Sequence, residues 1–423
     1  MTFFRGRMPS LFIAVLLSVS FVTQAQHNIP LTLAEAEDLA LNSEPGQAAL
    51  LARAEALGEQ AVVAGQLPDP TMRVGLENYP ISSGSFSTEG MTQGQLRFRQ
   101  SFPSGKSREF GTQKFEALSL SMSTSAAARE RDVLTNVRNA WLETYYWQHA
   151  RDIVTESRPF FADLVTVTLS LYAVGRKTQQ DVLRAELELG RLDDRLIDIN
   201  RRHQQALAAL SEWAGPDASR PVTSKLPQWS GLPAIEALQE NLMSHPAILS
   251  ADAKVDADDA GVRLAEENKK PDWSLDLGYG YRDGNLPSGE PRSDFISLSV
   301  TTQLPFFQKN RQDRSLAAAL RERSASEFDM DKQLRSLSSL LDAAYARWQD
   351  LSRRVTLYES QILALSADHA RAALLAYQSD SGDFADVMRG YIDDLNTRLD
   401  HVRLQVERAQ SYAVLANLGG LPR

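Results

Sequence analysis

"PDWSLDLGYGYR", residues 271–282, is the stretch on which the fold turns. From Trp273 every second residue is large and apolar: Trp273, Leu275, Leu277, Tyr279 and Tyr281, with Ser274, Asp276, Gly278, Gly280 and Arg282 between them. Successive side chains of a pleated strand point to opposite sides, so a period of two marks a strand with one apolar and one polar face. Most of the remaining chain reads as long helices, which leaves open what such a strand buries its apolar face against.

Three more segments share the pattern, giving strands at about 71–79, 93–102, 272–282 and 294–304. Their apolar faces are Met72, Val74, Leu76; Leu96, Phe98, Phe102; Trp273 through Tyr281; and Ile296, Leu298, Val300, Leu304. The opposite faces carry Arg73, Glu77, Gln95, Arg97, Arg99, Ser274, Asp276, Ser297, Ser299, Thr301 and Gln303, and are expected to meet water. Each strand has about the ten residues that cross a bilayer at a tilt. Apolar-out, polar-in alternation with polar loops (80–92 and 283–293) is the pattern of a transmembrane β-barrel, so the apolar face is expected against lipid. Four strands cannot close a barrel, and an open edge in lipid leaves backbone groups unpaired at several kcal/mol each. Two chains would supply eight strands and three would supply twelve.

The chain also repeats itself at an offset of roughly 200 residues. "LAEAEDLALNSEP" (33–45) aligns with "AIEALQENLMSHP" (234–246), and "LPDPTMRVGL" (67–76) with "KPDWSLDLGY" (270–279). "SFPSGK" (101–106) aligns with "QLPFFQK" (303–309), and "YAVGRKTQQDVL" (172–183) with "YQSDSGDFADVM" (377–388). The expected division is a first repeat over 26–214 with a helical hairpin over 107–213, a Pro-, Ser- and Gly-rich linker over 215–232, and a second repeat over 233–423 with a hairpin over 308–418. Leu334, Leu337, Leu341, Ala344, Trp348, Leu351, Val355, Tyr358, Ile362 and Leu365 alternate steps of three and four, as do Leu189, Leu192, Leu196, Ile199, His203, Ala206, Leu210 and Trp213. A sustained 3.5-residue period predicts helices supercoiled around one another. Pro159, inside the longest helix, is expected to kink it.

Residues 1–25 read as a secretory signal peptide: Arg5 and Arg7, an apolar run from Leu11 to Val22, then Thr23-Gln24-Ala25, with cleavage expected after Ala25. The 423-residue chain has no cysteine, which excludes disulfides, thiolate metal ligands and an acylated cysteine. Its formal net charge of −9, more negative once Arg5 and Arg7 are removed, argues against nucleic acid as a partner. The six histidines, His27, His149, His203, His245, His369 and His401, lack ligand spacing, and His203 falls on a helical seam where a packed histidine is the expectation. No nucleophile–base pair, phosphate loop or zinc motif is present, so the sequence predicts neither catalysis nor a resident cofactor or metal.

The signal peptide, the tandem halves and the tip "YAVGRKTQQDVL" resemble the TolC-type outer-membrane factor (outer membrane efflux protein) family over essentially the whole mature chain. "LPDPTMRVGLENYPI", "FRQSFPSGK" and "FFQKNRQDR" resemble its heavy-metal-efflux (CzcC/CusC-like) branch. The resemblance implies a mainly α fold with a small β part: a homotrimer whose twelve-strand barrel sits in the outer membrane above a long α-helical barrel in the periplasm. It implies an exit duct for an inner-membrane RND pump, met at the helical tips by a periplasmic adaptor protein, with heavy-metal cations as cargo. The implied adaptor-docking tip is Val174, Gly175 and Arg176, with Gly175 expected at positive φ. The second tip, Ser379-Asp380-Ser381, lacks that glycine, and Gly382 comes two residues late. Asp181 and Asp386 occupy the family's Asp-Val position, with Arg184 and Arg389 three residues on, so the resemblance implies a periplasmic gate from these four. A helix-capping role for both aspartates stays open. The lipid-facing set is Val74, Leu76, Leu96, Phe98, Trp273, Leu275, Leu277, Tyr279, Leu298 and Val300. A duct for drugs or other small molecules shares this architecture, and a soluble periplasmic coiled-coil adaptor is the alternative of another class.

Overall fold

The computed structural model describes residues 29–229 and 231–421; the segment read as a signal peptide lies outside them. In chain order the elements are α1 (Leu33–Ser43), α2 (Pro45–Gly65), β1 (Thr71–Glu77), β2 (Gln93–Phe102), α3 (Ser107–Ala173), α4 (Gln179–Ala214), α5 (Ile235–Leu242), α6 (Pro246–Glu267), β3 (Trp273–Tyr281), β4 (Phe295–Thr302), α7 (Gln312–Leu357), α8 (Leu363–Gln378) and α9 (Phe384–Gly419). Two short helices, two strands and a long hairpin thus occur twice.

The repeat is visible down to its caps. Pro45 opens α2 and Pro246 opens α6, each in the first turn, where a missing N–H leaves no bond unmade. Just before them, the Glu44 carboxylate accepts from Gln47 N at 2.6 Å and His245 Nδ1 accepts from Ala247 N at 3.2 Å. α3 has 67 residues, about 100 Å at 1.5 Å per residue. It runs through Pro159 as one uninterrupted helix. The second hairpin differs: between α7 and α8, Tyr358–Ile362 forms a π-turn within the stripe that the sequence carries without a slip. The widened turn presents Glu359 to His401 Nε2 (3.3 Å) and Gln405 Nε2 (3.2 Å) on α9.

The strands form one antiparallel sheet in the order β1-β2-β3-β4, and the β2–β3 pairing joins the two halves. The register sets Met72, Phe98, Leu277 and Leu298 in one cross-sheet row and Val74, Leu96, Tyr279 and Ile296 in the next, all on one face. That face is exposed: Val74 is 72% exposed, Leu277 52% and Leu298 69%. Leu76, Trp273, Leu275 and Val300 are exposed with them. Along β3 every apolar residue is exposed and every intervening residue buried, the inverse of a soluble sheet. On the inner face Asp276 receives Arg99 Nε at 2.7 Å. Gly278 and Gly280 leave the space that the side chains of Ser297 and Gln93 fill. Ser274, expected to meet water, is instead buried on this inner face, whereas Ser297 is exposed. β1 and β4 are free edges within one chain.

Midway along the helices a core of Leu31, Val133, Val137, Trp141, Leu210 and Val222 takes in Val406 and Ala409 of α9 and so ties the halves together. Leu31 bridges Val222 as a parallel pair, and Trp141 Nε1 donates to Leu31 O at 3.0 Å. Among the described residues no helix is long and apolar enough to cross a membrane.

Candidate functional site

The ends of the two hairpins farthest from the sheet in sequence are built on the same backbone turn. α3 stops when Gly175 takes φ +74°, with Gly175 N bonded to Tyr172 O and Arg176 N to Leu171 O, both at 2.9 Å. This double bond from the two residues past the cap is a left-handed helix stop. α8 stops in the same way: Asp380 takes φ +60°, its N bonds to Tyr377 O at 3.2 Å, and Ser381 N bonds to Ala376 O at 2.9 Å. Asp380 is thus the structural counterpart of Gly175. Gly382 lies beyond the turn against Ala376 and has no positive φ.

A side chain in the left-handed region is disfavoured, though aspartate tolerates it better than most. Here the first tip supports it. The Arg176 guanidinium and the Lys177 ammonium both engage the Asp380 carboxylate, the latter at 3.1 Å. Lys177 Nζ also sits 4.4 Å from the centre of the Tyr377 ring. These two cations hold the Asp380 carboxyl below its ordinary value. The clamp's contribution is therefore fully present above the ordinary carboxylate pKa and is lost as pH falls through the depressed one. Beneath it lies a cavity of about 200 Å³ walled by Phe160, Leu164, Leu171, Leu374 and Tyr377, with Arg176, Lys177 and Asp380 at its mouth.

Just past the turns, the two aspartates part company. Asp181 accepts from Thr178 N at 3.1 Å while Thr178 Oγ1 accepts from Asp181 N at 3.3 Å, a reciprocal capping box at the start of α4. Asp386, in the first turn of α9, instead pairs with Arg389 of its own helix at 3.0 Å, and both are exposed. Arg184 is half-buried on α4. Val174 is 69% exposed at the first tip. The Arg176–Lys177–Asp380 clamp is absent from the sequence reading. The signal was available, because the alignment of Tyr172 with Tyr377 already sets Asp380 against Gly175.

His203 is buried on the α4 seam with no hydrogen-bond partner at Nε2, and burial lowers its pKa. Among the described residues no group of three or more His, Asp or Glu is arranged to hold a metal ion.

A sheet with an exposed apolar face, carried on long hairpins that end in paired turns, defines the fold of the outer-membrane channels that combine a helical barrel with a β-barrel contribution. The outer membrane protein VceC of Vibrio cholerae has it with a TM-score of 0.76 at 18% identity, over 92% of this chain and 96% of that one. CusC, described for its transmembrane channel formation, matches at 0.76 and 16% identity over 92% and 93%. The Campylobacter jejuni outer membrane channel CmeC matches at 0.73 and 12% identity over 97% and 94%.

Residues 237–421 match the family model described as "Outer membrane efflux protein". Protein CyaE of Bordetella pertussis is 25% identical over 313 residues, 69% of this chain, and the chain spans 63% of that relative's length. The family and the fold neighbours are channel proteins rather than enzymes.

Proposed function

We propose that this chain is the outer-membrane exit duct of a tripartite efflux system, assembled as a trimer and working with an inner-membrane RND pump and a periplasmic adaptor. The observation that carries it is the inverted sheet: rows of Met72, Phe98, Leu277, Leu298 and of Val74, Leu96, Tyr279, Ile296 lie exposed while Asp276 is buried behind them. Such a face is stable against lipid, and its free β1 and β4 edges are satisfied when copies close a barrel. Three chains give twelve strands. A soluble coiled-coil adaptor has no use for this face.

The cargo we propose is heavy-metal cations, on the strength of the strings around the strands, "LPDPTMRVGLENYPI" and "FFQKNRQDR". Choice of ion belongs to the pump. The tips, Val174-Gly175-Arg176 and Ser379-Asp380-Ser381, are the adaptor's docking surface, and their shared turn makes both available for it. Asp386 and Arg389 form the periplasmic gate together with Arg184 and Asp181, the latter acting through the helix start that its capping box with Thr178 fixes. Deleting the protein from cells without a redundant duct should sensitise them to divalent or soft metal ions more than to hydrophobic drugs. Unchanged metal tolerance with lost drug tolerance would replace the cargo by small organic molecules and leave the duct standing.

A further inference from the structure

We propose that the helix-side rim of the sheet binds the head group of an amine-bearing phospholipid, phosphatidylethanolamine, one per chain; this rests on the barrel reading above. After β4 the chain passes through Leu304, Phe306 and Phe307, which are 60%, 78% and 82% exposed. They continue the exposed apolar face of β4 downward, where a barrel meets the lipid head groups. Trp273 and Phe102, stacked with ring centres 4.1 Å apart, stand at the same level. Aromatic side chains at this depth are suited to the boundary between acyl chains and head groups.

Against this turn lies a cavity of about 280 Å³, walled by Ser107, Lys270, Asp272, Arg311 and Gln312 together with Phe306 and Phe307. Its polar groups are incompletely used. Arg311 and Asp272 enter no ion pair among the described residues, while Lys270 is shared with Glu267 at 2.6 Å. Ser107 Oγ and Gln312 Oε1 are buried with no hydrogen-bond partner. Buried polar atoms are ordinarily satisfied, and leaving one unpaired is costly. Asp272 is fixed in place through its own carbonyl, which accepts from Thr302 Oγ1 at 2.9 Å and Gln303 N at 3.3 Å.

The occupant must therefore bring an anion to Arg311 and Lys270, an N–H donor to Asp272 and an apolar portion to Phe306 and Phe307. Free phosphate leaves Asp272 and both rings unserved. Phosphatidylglycerol brings no cation, and phosphatidylcholine brings a cation without an N–H. Phosphatidylethanolamine supplies all three, its head group in the cavity and its acyl chains running out over the rings.

The test is native mass spectrometry of the detergent-extracted full-length assembly, offered equal amounts of the three phospholipids. The parent should retain phosphatidylethanolamine preferentially, up to one per chain, and should not release it to inorganic phosphate. Arg311→Gln should lower retention of all three by about tenfold, as expected for one lost hydrogen bond to a charged group. Asp272→Asn should keep retention of phosphatidylglycerol but abolish the preference for the ethanolamine lipid. Equal retention of the three by the parent, displacement by phosphate alone, or parent-like selectivity in both variants would overturn the proposal. A particle that is not a trimer would overturn the barrel reading itself; a trimer without lipid selectivity would overturn only this inference.

Discussion

The sheet and the tips sit at opposite ends of the hairpins and are specified in opposite ways. In the sheet a period of two, repeated in four strands, assigns every side chain to a face, and no single residue is decisive. At the tips single residues decide, and two different ones, Gly175 and Asp380, produce the same left-handed turn. Glycine does so by having no Cβ; aspartate does so with its carboxylate held by Arg176 and Lys177 of the other tip. A glycine tip is autonomous, whereas an aspartate tip depends on its neighbour. The second tip is thereby fastened to the first.

The largest effect is expected in the sheet. Leu277→Arg places a charge on the outward face and should cost about 2–4 kcal/mol near the bilayer midplane, read as lost assembly in membranes. Ser297→Arg, on the other face and exposed, should assemble as the parent does. Equal sensitivity of the two sites would break the assignment of faces.

At the tips, Asp380→Val should loosen the turn most, because a β-branched residue is an outlier at positive φ. Asp380→Gly should keep the turn while losing the clamp. Hydrogen exchange at Ser379–Ser381 should rise strongly for the first variant, and exchange at Arg176–Lys177 should rise in both. If Asp380→Gly left the first tip's exchange unchanged, the fastening between tips would be refuted.

These expectations also mark how far the sequence could be read. Strand faces, helix stripes and the paired prolines Pro45 and Pro246 are periodic or repeated features, and each residue of the pattern reinforces the others. Ser274 departs from its expectation because alternation gives a face and not how closely that face is covered, and in β3 every residue of the inner face is buried. The π-turn at Tyr358–Ile362 leaves the three-four spacing of apolar residues intact, so nothing in the pattern marks it. The clamp joins residues about 200 positions apart through a backbone conformation that one aspartate adopts, and local propensity does not register such pairs. Asp181 shows the converse. Its spacing from Thr178 is that of a capping box, and its carboxylate is spent there.

The smallest effect concerns Arg389, whose exposed pair with Asp386 contributes at most about 1 kcal/mol. Arg389→Ala should raise the resting conductance of the channel in planar bilayers modestly and increase its preference for cations, since it leaves a ring of unpaired carboxylates. Parent-like conductance and selectivity would reduce Asp386 and Arg389 to a solvated surface pair.

The central claim, that the exposed apolar face and free edges of a four-strand sheet are completed by lipid and by further copies of the chain, is tested most directly by the mass of the detergent-extracted particle. The account predicts a threefold assembly of this chain with no stable folded monomer. A monodisperse monomer or dimer with intact secondary structure would contradict it.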